Sequence, residues 1–172
     1  MDVDIINGEN NRSGMPASLK ALTEFYADFN GRDLEGSMKN WAHRDDVVMC
    51  NPIGGIRKGW DAIFEGYQRI MQGEIRVYVE FYDYQLMQCG NIFYAVGRER
   101  GVAQCSEPSS GPWSEPYGDK SGGQRLELAI RTSRVFQKIA GAWQQVHHHG
   151  SMDDPGLLNQ YQNLINRVKN RS

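Results

Sequence analysis

The chain has 172 residues and a mass of 19.5 kDa, with 40% hydrophobic and 23% charged residues. It is long enough to bury a core without disulfides or a structural metal, and its make-up excludes wholesale disorder. Nineteen basic against 21 acidic side chains leave a net charge of −2, which argues against a protein built to grip nucleic acid or an anionic membrane.

Residues 1–15 read as a flexible N-terminal arm, without periodicity and with several Asn and Gly. Their start is acidic and polar, unlike a secretory signal peptide. The domain proper is placed at 16–156. Leu19, Leu22, Phe25, Tyr26 and Phe29 recur at helical spacing and predict a first helix, stopped at Asn30-Gly31. Asp33 can cap a second short helix carrying Leu34, Met38 and Trp41. Val47 to Cys50 is a short strand, closed by Asn51-Pro52 and Gly54-Gly55. Trp60, Ile63, Phe64, Tyr67 and Ile70-Met71 mark a third helix.

After Gly73 the period becomes two. Ile75, Val77, Val79 and Phe81 alternate with Arg76, Tyr78 and Glu80, and the stretch continues to Cys89. Gly90-Asn91 is a turn, and Ile92 to Val102 returns as a strand with Gly97 as a bulge. Residues 103–123 read as a long loop holding Trp113 and Tyr117. They can form a lid over a pocket mouth or an arm across a dimer. Arg125 to Lys138 and Trp143 to His149 form a last hairpin. A C-terminal helix is placed at 157–172. Segregated helices and antiparallel strands predict an α+β fold, one curved sheet wrapped around the N-terminal helices. No apolar run has the length of a membrane span. Cys50, Cys89 and Cys105 stand far apart with no CxxC pair, the pattern of reduced thiols in the cytoplasm.

The order of elements, with Asn30-Gly31-Arg32-Asp33-Leu34, Asp45-Asp46-Val47-Val48, Asn51-Pro52-Ile53-Gly54 and Gly59-Trp60-Asp61-Ala62-Ile63, resembles the NTF2-like superfamily, in its SnoaL-like and ketosteroid-isomerase-like branch. The last hairpin, Thr132 to Phe136 and Gly141 to Ser151, is similar to the association domain of calcium/calmodulin-dependent protein kinase II. The resemblance spans residues 18–155. It implies a cone with a pocket at its open end, a homodimer paired through the convex sheet face, and a small-molecule ligand.

The isomerase's catalytic set does not carry over. Its base would fall at Asn51, whose amide takes no proton at neutral pH. Its donors would fall at Phe25 and near Thr132, and Tyr26 lies about 100° further round the helix. Glu127 and Asp119 are acidic candidates by type alone, with solvent-facing positions as the alternative. By period two, Leu128, Ile130, Thr132, Arg134 and Phe136 share a face, and the resemblance makes that face the inner one. It also implies that Arg134, and Arg98 beside it, line the pocket, while Gly150 stands where the kinase domain has a third arginine. A buried arginine needs a carboxylate or an anionic ligand. Arg98 and Arg134 are therefore either ligand-binding or paired with Glu99, Glu127 or another acid.

His147, His148 and His149 do not make a metal site, because successive strand residues face opposite ways and His43 is distant. The resemblance to the kinase association domain implies that Val146 and His148 face inward with Gly150, with His148 a candidate acid/base. The aromatics Phe25, Phe29, Trp41, Phe64 and Tyr67 belong to the core, with Tyr67 and Trp41 available to line the ligand site. Two readings stay open. One is a dimeric binding protein whose pocket, lined by Arg98, Arg134, Tyr67 and Trp41, holds a small carboxylate or polar ligand. The other is a SnoaL-like lyase, cyclase or isomerase acting on an apolar small molecule through Asn51 and His148. Neither needs a cofactor or metal, a nucleic acid or a membrane.

Overall fold

The computed structural model of the chain describes residues 5–105 and 125–169. In chain order the elements are β1 (Ile5–Ile6), α1 (Ala17–Asn30), α2 (Leu34–Lys39), β2 (Val48–Cys50), β3 (Ile56–Lys58), α3 (Trp60–Gln72), β4 (Ile75–Cys89), β5 (Ile92–Cys105), β6 (Arg125–Ile139), β7 (Ala142–Met152) and α4 (Pro155–Lys169). The strands form one sheet in the order β1-β4-β5-β6-β7-β2-β3. Every pairing is antiparallel except β2 with β7. This curved, unclosed sheet wraps the helices as the α+β reading expects. No helix of the described residues is long and apolar enough to cross a membrane.

The periodic segments become the elements they predict, because each carries one apolar face into one core. Leu22, Phe25 and Tyr26 of α1, Ile63 and Tyr67 of α3, and Val79 and Phe81 of β4 are all buried. Asp33 caps α2, its Oδ1 accepting from Gly36 N at 2.9 Å. The second helix is shorter than expected: it ends at Lys39, and Trp41 instead forms an isolated parallel bridge with Gln145. β3 was not expected. Three residues between Gly55 and Gly59 are too few to show a period.

The N-terminal segment departs from the expected loose arm. Ile5–Ile6 pair with Tyr82 and Phe81, and Ile6 is fully buried. The Asn30 side chain ties this segment down. Its Nδ2 donates to Asn7 O and Val79 O, both at 2.9 Å, and its Oδ1 accepts from Val79 N. Asn30 thus ends α1 and also clips it to β4. Of the expected loop at 103–123, residues 103–105 continue β5. The rest, with Trp113, Tyr117 and Asp119, lies outside the described residues.

The bulge sits opposite Gly97 rather than at it. Register runs from Tyr82↔Arg98 to Gln85↔Val96, so Asp83 and Tyr84 both face Gly97. Asp83 takes φ +47° there. A Cβ on Gly97 would stand 2.6 Å from Tyr84 Cβ and 2.9 Å from a Phe81 ring carbon. The missing side chain lets the bulged strand bend over β5, and bulges bend sheets. Replacing Gly97 by Ala should therefore lower stability by about 2 kcal/mol or more, read as a fall in the urea midpoint. An unchanged midpoint would show that β4 yields freely at this point.

Candidate functional site

The concave face of β6 carries Leu128, Ile130, Thr132, Arg134 and Phe136, as period two predicts, and all five are buried. Arg134 is 3% exposed. Its neighbour across the strand pair is Ala95, with Gly97 and Glu99 further along the same face of β5. Two small residues leave room for the long guanidinium and bring Glu99 within reach of it.

Arg134 Nη2 lies 3.0 Å from Glu99 Oε1, and both side chains are all but sealed from solvent. Removing two charges from water costs several kcal/mol, so the remaining donors and acceptors must be met. Partners come from α1 and β7. Tyr26 of α1 donates its hydroxyl to Glu99 Oε1 at 2.6 Å and accepts from Arg134 Nε at 3.3 Å. Gln145 of β7 accepts from Arg134 Nη1 at 2.9 Å. The Phe25 ring lies under the guanidinium at 3.7 Å, with Tyr26 at 5.3 Å. Burial works against the guanidinium's charge, but Tyr26, Glu99 and Tyr67 outweigh it and raise the Arg134 pKa. Burial, then the Glu99 charge, pushes the Tyr26 phenol well up, and burial raises that of Tyr67.

His148 stands across from Arg134. Its Nε2 lies 3.0 Å from Thr132 Oγ1, which also donates to His149 O at 3.2 Å. Nδ1 is buried without a hydrogen-bond partner among the described residues. Burial, then Arg134, His147 and His149, pushes the imidazole well below its ordinary 6.5. The ring is therefore neutral at physiological pH, which the buried cation beside it requires.

These side chains edge a cavity of about 70 Å³, lined otherwise mainly by Phe25, Phe29, Tyr67, Leu128, Ile130 and Tyr161. Helix α4 covers it. Leu164 is buried in the core, Tyr161 packs against that core and lines the cavity, and Gln162 Nε2 donates to Ile53 O at 3.1 Å. Burial pushes the Tyr161 phenol up to about 12. A larger groove of about 540 Å³ lies outside, between α2 and α3, walled by Trp41, His43, Trp60 and Phe64. His43 stacks on Trp60 there at 4.2 Å.

The structure brings Asn51, Arg134, His148 and Tyr67 to the cavity and leaves Arg98 and Trp41 outside it. Arg98 is the neighbour of Glu99 in β5, so it points to the convex side. There it is 46% exposed and bonds to Asp83 at 3.3 Å and Asp153 at 2.5 Å. Of the two arginine readings, pairing with an acid describes both residues. Trp41 is buried behind Tyr67, its Nε1 3.4 Å from the Tyr67 hydroxyl, and borders the outer groove. Asn51 Oδ1 accepts from Ile53 N and shapes the turn at the cavity's edge. Gly150 is buried on the concave face. A Cβ on it would stand 2.6 Å from a Pro52 ring carbon, so a larger residue would push that turn away. Glu127 is exposed on β6. His149 is exposed and His147 half-buried, and no group of three metal-ligating residues forms among the described residues.

Sequence reasoning missed Tyr26 and Gln145, and held Glu99 only as an ion-pair partner. Strict alternation from His148 puts Val146 and Gln144 inside. A register shift at Val135/Phe136, however, gives β7 an extra residue, and Gln145 faces inward instead.

No family model matches the chain, and no curated protein does. Solved structures match in fold. A Streptomyces avermitilis protein, provisionally named a dehydratase of the NTF2-like family, is 19% identical over 79% of this chain and 94% of its own, with TM-score 0.62. A ketosteroid isomerase-like protein from Erwinia carotovora is 16% identical over 84% of this chain and 100% of its own, with TM-score 0.61. A Thiobacillus denitrificans protein, provisionally named a calcium/calmodulin-dependent protein kinase type II association domain, is 22% identical over 81% of this chain and 98% of its own, with TM-score 0.59. At these identities the likeness carries the fold, the NTF2-like cone, alone.

Two outcomes follow from the buried groups. Glu99→Gln leaves Arg134 charged and unmatched, and should cost about 3–5 kcal/mol in urea denaturation. Adding Arg134→Met should recover part of that loss, whereas strict additivity would show the pair to be uncoupled. His148 has its folded pKa depressed, so the unfolded chain binds its proton first as pH falls. Stability from this group is complete above about 6.5 and is lost progressively below it. Between pH 7 and 5 the melting temperature of wild type should fall more steeply than that of His148→Gln. Parallel slopes would place the His148 pKa near its ordinary value.

Proposed function

We propose that this NTF2-like cone is a small-molecule-binding domain whose ligand sits inside the cone, beneath α4. The supporting observation is the cavity itself, an apolar chamber with a buried ion pair and a neutral histidine at its polar side. Binding sites combine an apolar lining with a few convergent polar groups in this way.

The carboxylate ligand expected from the residues is not carried forward. Arg134 gives Nη2 to Glu99, Nη1 to Gln145 and Nε to Tyr26. A carboxylate would either displace Glu99 or stand beside it as a second buried anion against a single cation. An uncharged, mainly apolar ligand needs no such exchange. The lyase, cyclase or isomerase reading needs a group at the cavity free to move a proton. Glu99 is held by Arg134 and Tyr26, and Asn51 is an amide. His148, the remaining candidate, is buried beside the Arg134 cation, which together with that burial holds its imidazole well below the ordinary value and makes it a poor proton acceptor, so binding uses these groups as they stand.

The cavity is smaller than the several hundred Å³ of drug-sized sites. Entry of anything larger than a few atoms therefore requires α4 to yield. Titration of small neutral aromatics into 15N-labelled protein should shift the amides of Tyr67, Leu128, Ile130 and α4 together. Shifts confined to His43, Trp60 and Phe64 would move the site to the outer groove, and no saturable shift would overturn the reading. Tyr161→Ala should tighten binding by about tenfold if α4 limits entry space.

A further inference from the structure

The interior site carries a more specific instruction in the hydrogen bonds of Thr132. A threonine hydroxyl has one proton to give. Thr132 Oγ1 lies 3.2 Å from His149 O and 3.0 Å from His148 Nε2. A carbonyl oxygen only accepts, whereas an imidazole nitrogen donates or accepts according to its tautomer, so both contacts are hydrogen bonds only when the hydroxyl proton goes to His149 O. To complete the second contact, Thr132 must accept from Nε2, and the ring proton sits there. Nδ1 then presents a lone pair. That atom is buried, has no partner among the described residues, and belongs to a side chain 5% exposed that lines the cavity.

From this arrangement we infer that His148 Nδ1 is the recognition atom for the ligand, and that the ligand is an uncharged hydroxyl compound, a small phenol or alcohol, donating its O–H to that nitrogen. The inference rests on the interior-binding reading and deepens it. The apolar body of such a ligand fits the Phe25, Phe29, Leu128 and Ile130 walls. Its hydroxyl would meet a buried acceptor that otherwise stays unmatched, and a site built around such an acceptor rejects analogues that lack the donor. Carboxylates are disfavoured by the same atom, since two acceptors would face one another. Arg134 does not compensate, because its charge is already matched by the Glu99 carboxylate at 3.0 Å.

The test uses phenol, anisole and toluene, matched in shape and differing in whether they donate, only accept, or do neither. Dissociation constants are measured by NMR titration on wild type, Tyr161→Ala and His148→Gln. Phenol should bind about tenfold or more tighter than anisole and toluene. His148→Gln keeps an N–H for Thr132 and removes the acceptor from the Nδ1 position, so its preference should collapse to within about twofold. Circular dichroism establishes that the variant is folded. Equal binding of the three probes to wild type overturns this inference and leaves the binding reading intact. Failure of all three, on both wild type and Tyr161→Ala, overturns both. A separate check needs no ligand and no variant. Ring 15N shifts of His148 should show the proton on Nε2, and a proton on Nδ1 would overturn the inference directly.

Discussion

A charge pair sealed inside a cone constrains everything around it. Arg134 and Glu99 are joined at 3.0 Å with almost no access to water. Their mutual attraction alone does not offset the loss of hydration. The structure meets the balance with partners from two further elements: the Tyr26 hydroxyl and the Phe25 ring face from α1, and the Gln145 carbonyl from β7. Each fixes the approach of its own element to the sheet. The packing of α1 against β5 and β6 is therefore specified by polar geometry as well as by apolar area. The same cation also forces His148 to be neutral, which is what gives that ring a lone pair to offer.

The sheet's curvature makes this convergence possible. The bulge opposite Gly97 and the extra residue in β7 both bend the sheet at the level of the ion pair. Small residues at Ala95, Gly97 and Gly101 keep the concave face of β5 low there. The bend also leaves a space beyond the pair, and α4 closes it. Asp153, just before α4, is held by Arg98 at 2.5 Å and Arg131 at 2.9 Å on the other side of the sheet. The helix therefore starts from a fixed point, and its grip on the cone comes from Tyr161, Leu164 and Gln162. Arg98, expected inside with Arg134, serves this anchoring role instead. One position of strand offset from Glu99 decides the difference.

Much of the architecture was legible in the chain because it rests on local periodicity. Leu22, Phe25 and Tyr26, then Ile63 and Tyr67, then the β6 face from Leu128 to Phe136 each declare an element and its buried side. Asn30-Gly31 and Asp33 declare ends. What periodicity does not encode is a break in itself. The extra residue, Val146, reverses the faces of β7 on one side of it, and Gln145 arrives at the site against the alternation read from His148. Nor does local pattern reveal that two residues of an apparent arm, Ile5–Ile6, complete the sheet's edge, since the Asn30 side chain that holds them lies 23 residues from its partner Asn7.

The sequence by itself determined the α+β class and which residues of β6 share a face, because repeating apolar side chains must be buried whatever else the chain does; the cone, and the inward side of that face, were what the resemblance to NTF2-like proteins implied. The sequence also established that Arg134 needs an anionic partner. Only the tertiary structure decided which one. Tyr26 meets Glu99 across 73 residues and Arg134 across 108. Such contacts depend on strand register and sheet curvature, which are properties of the assembled sheet. The surroundings of the His148 ring were decided in the same way, by a hydroxyl 16 residues away that lies within reach of both Nε2 and the His149 carbonyl.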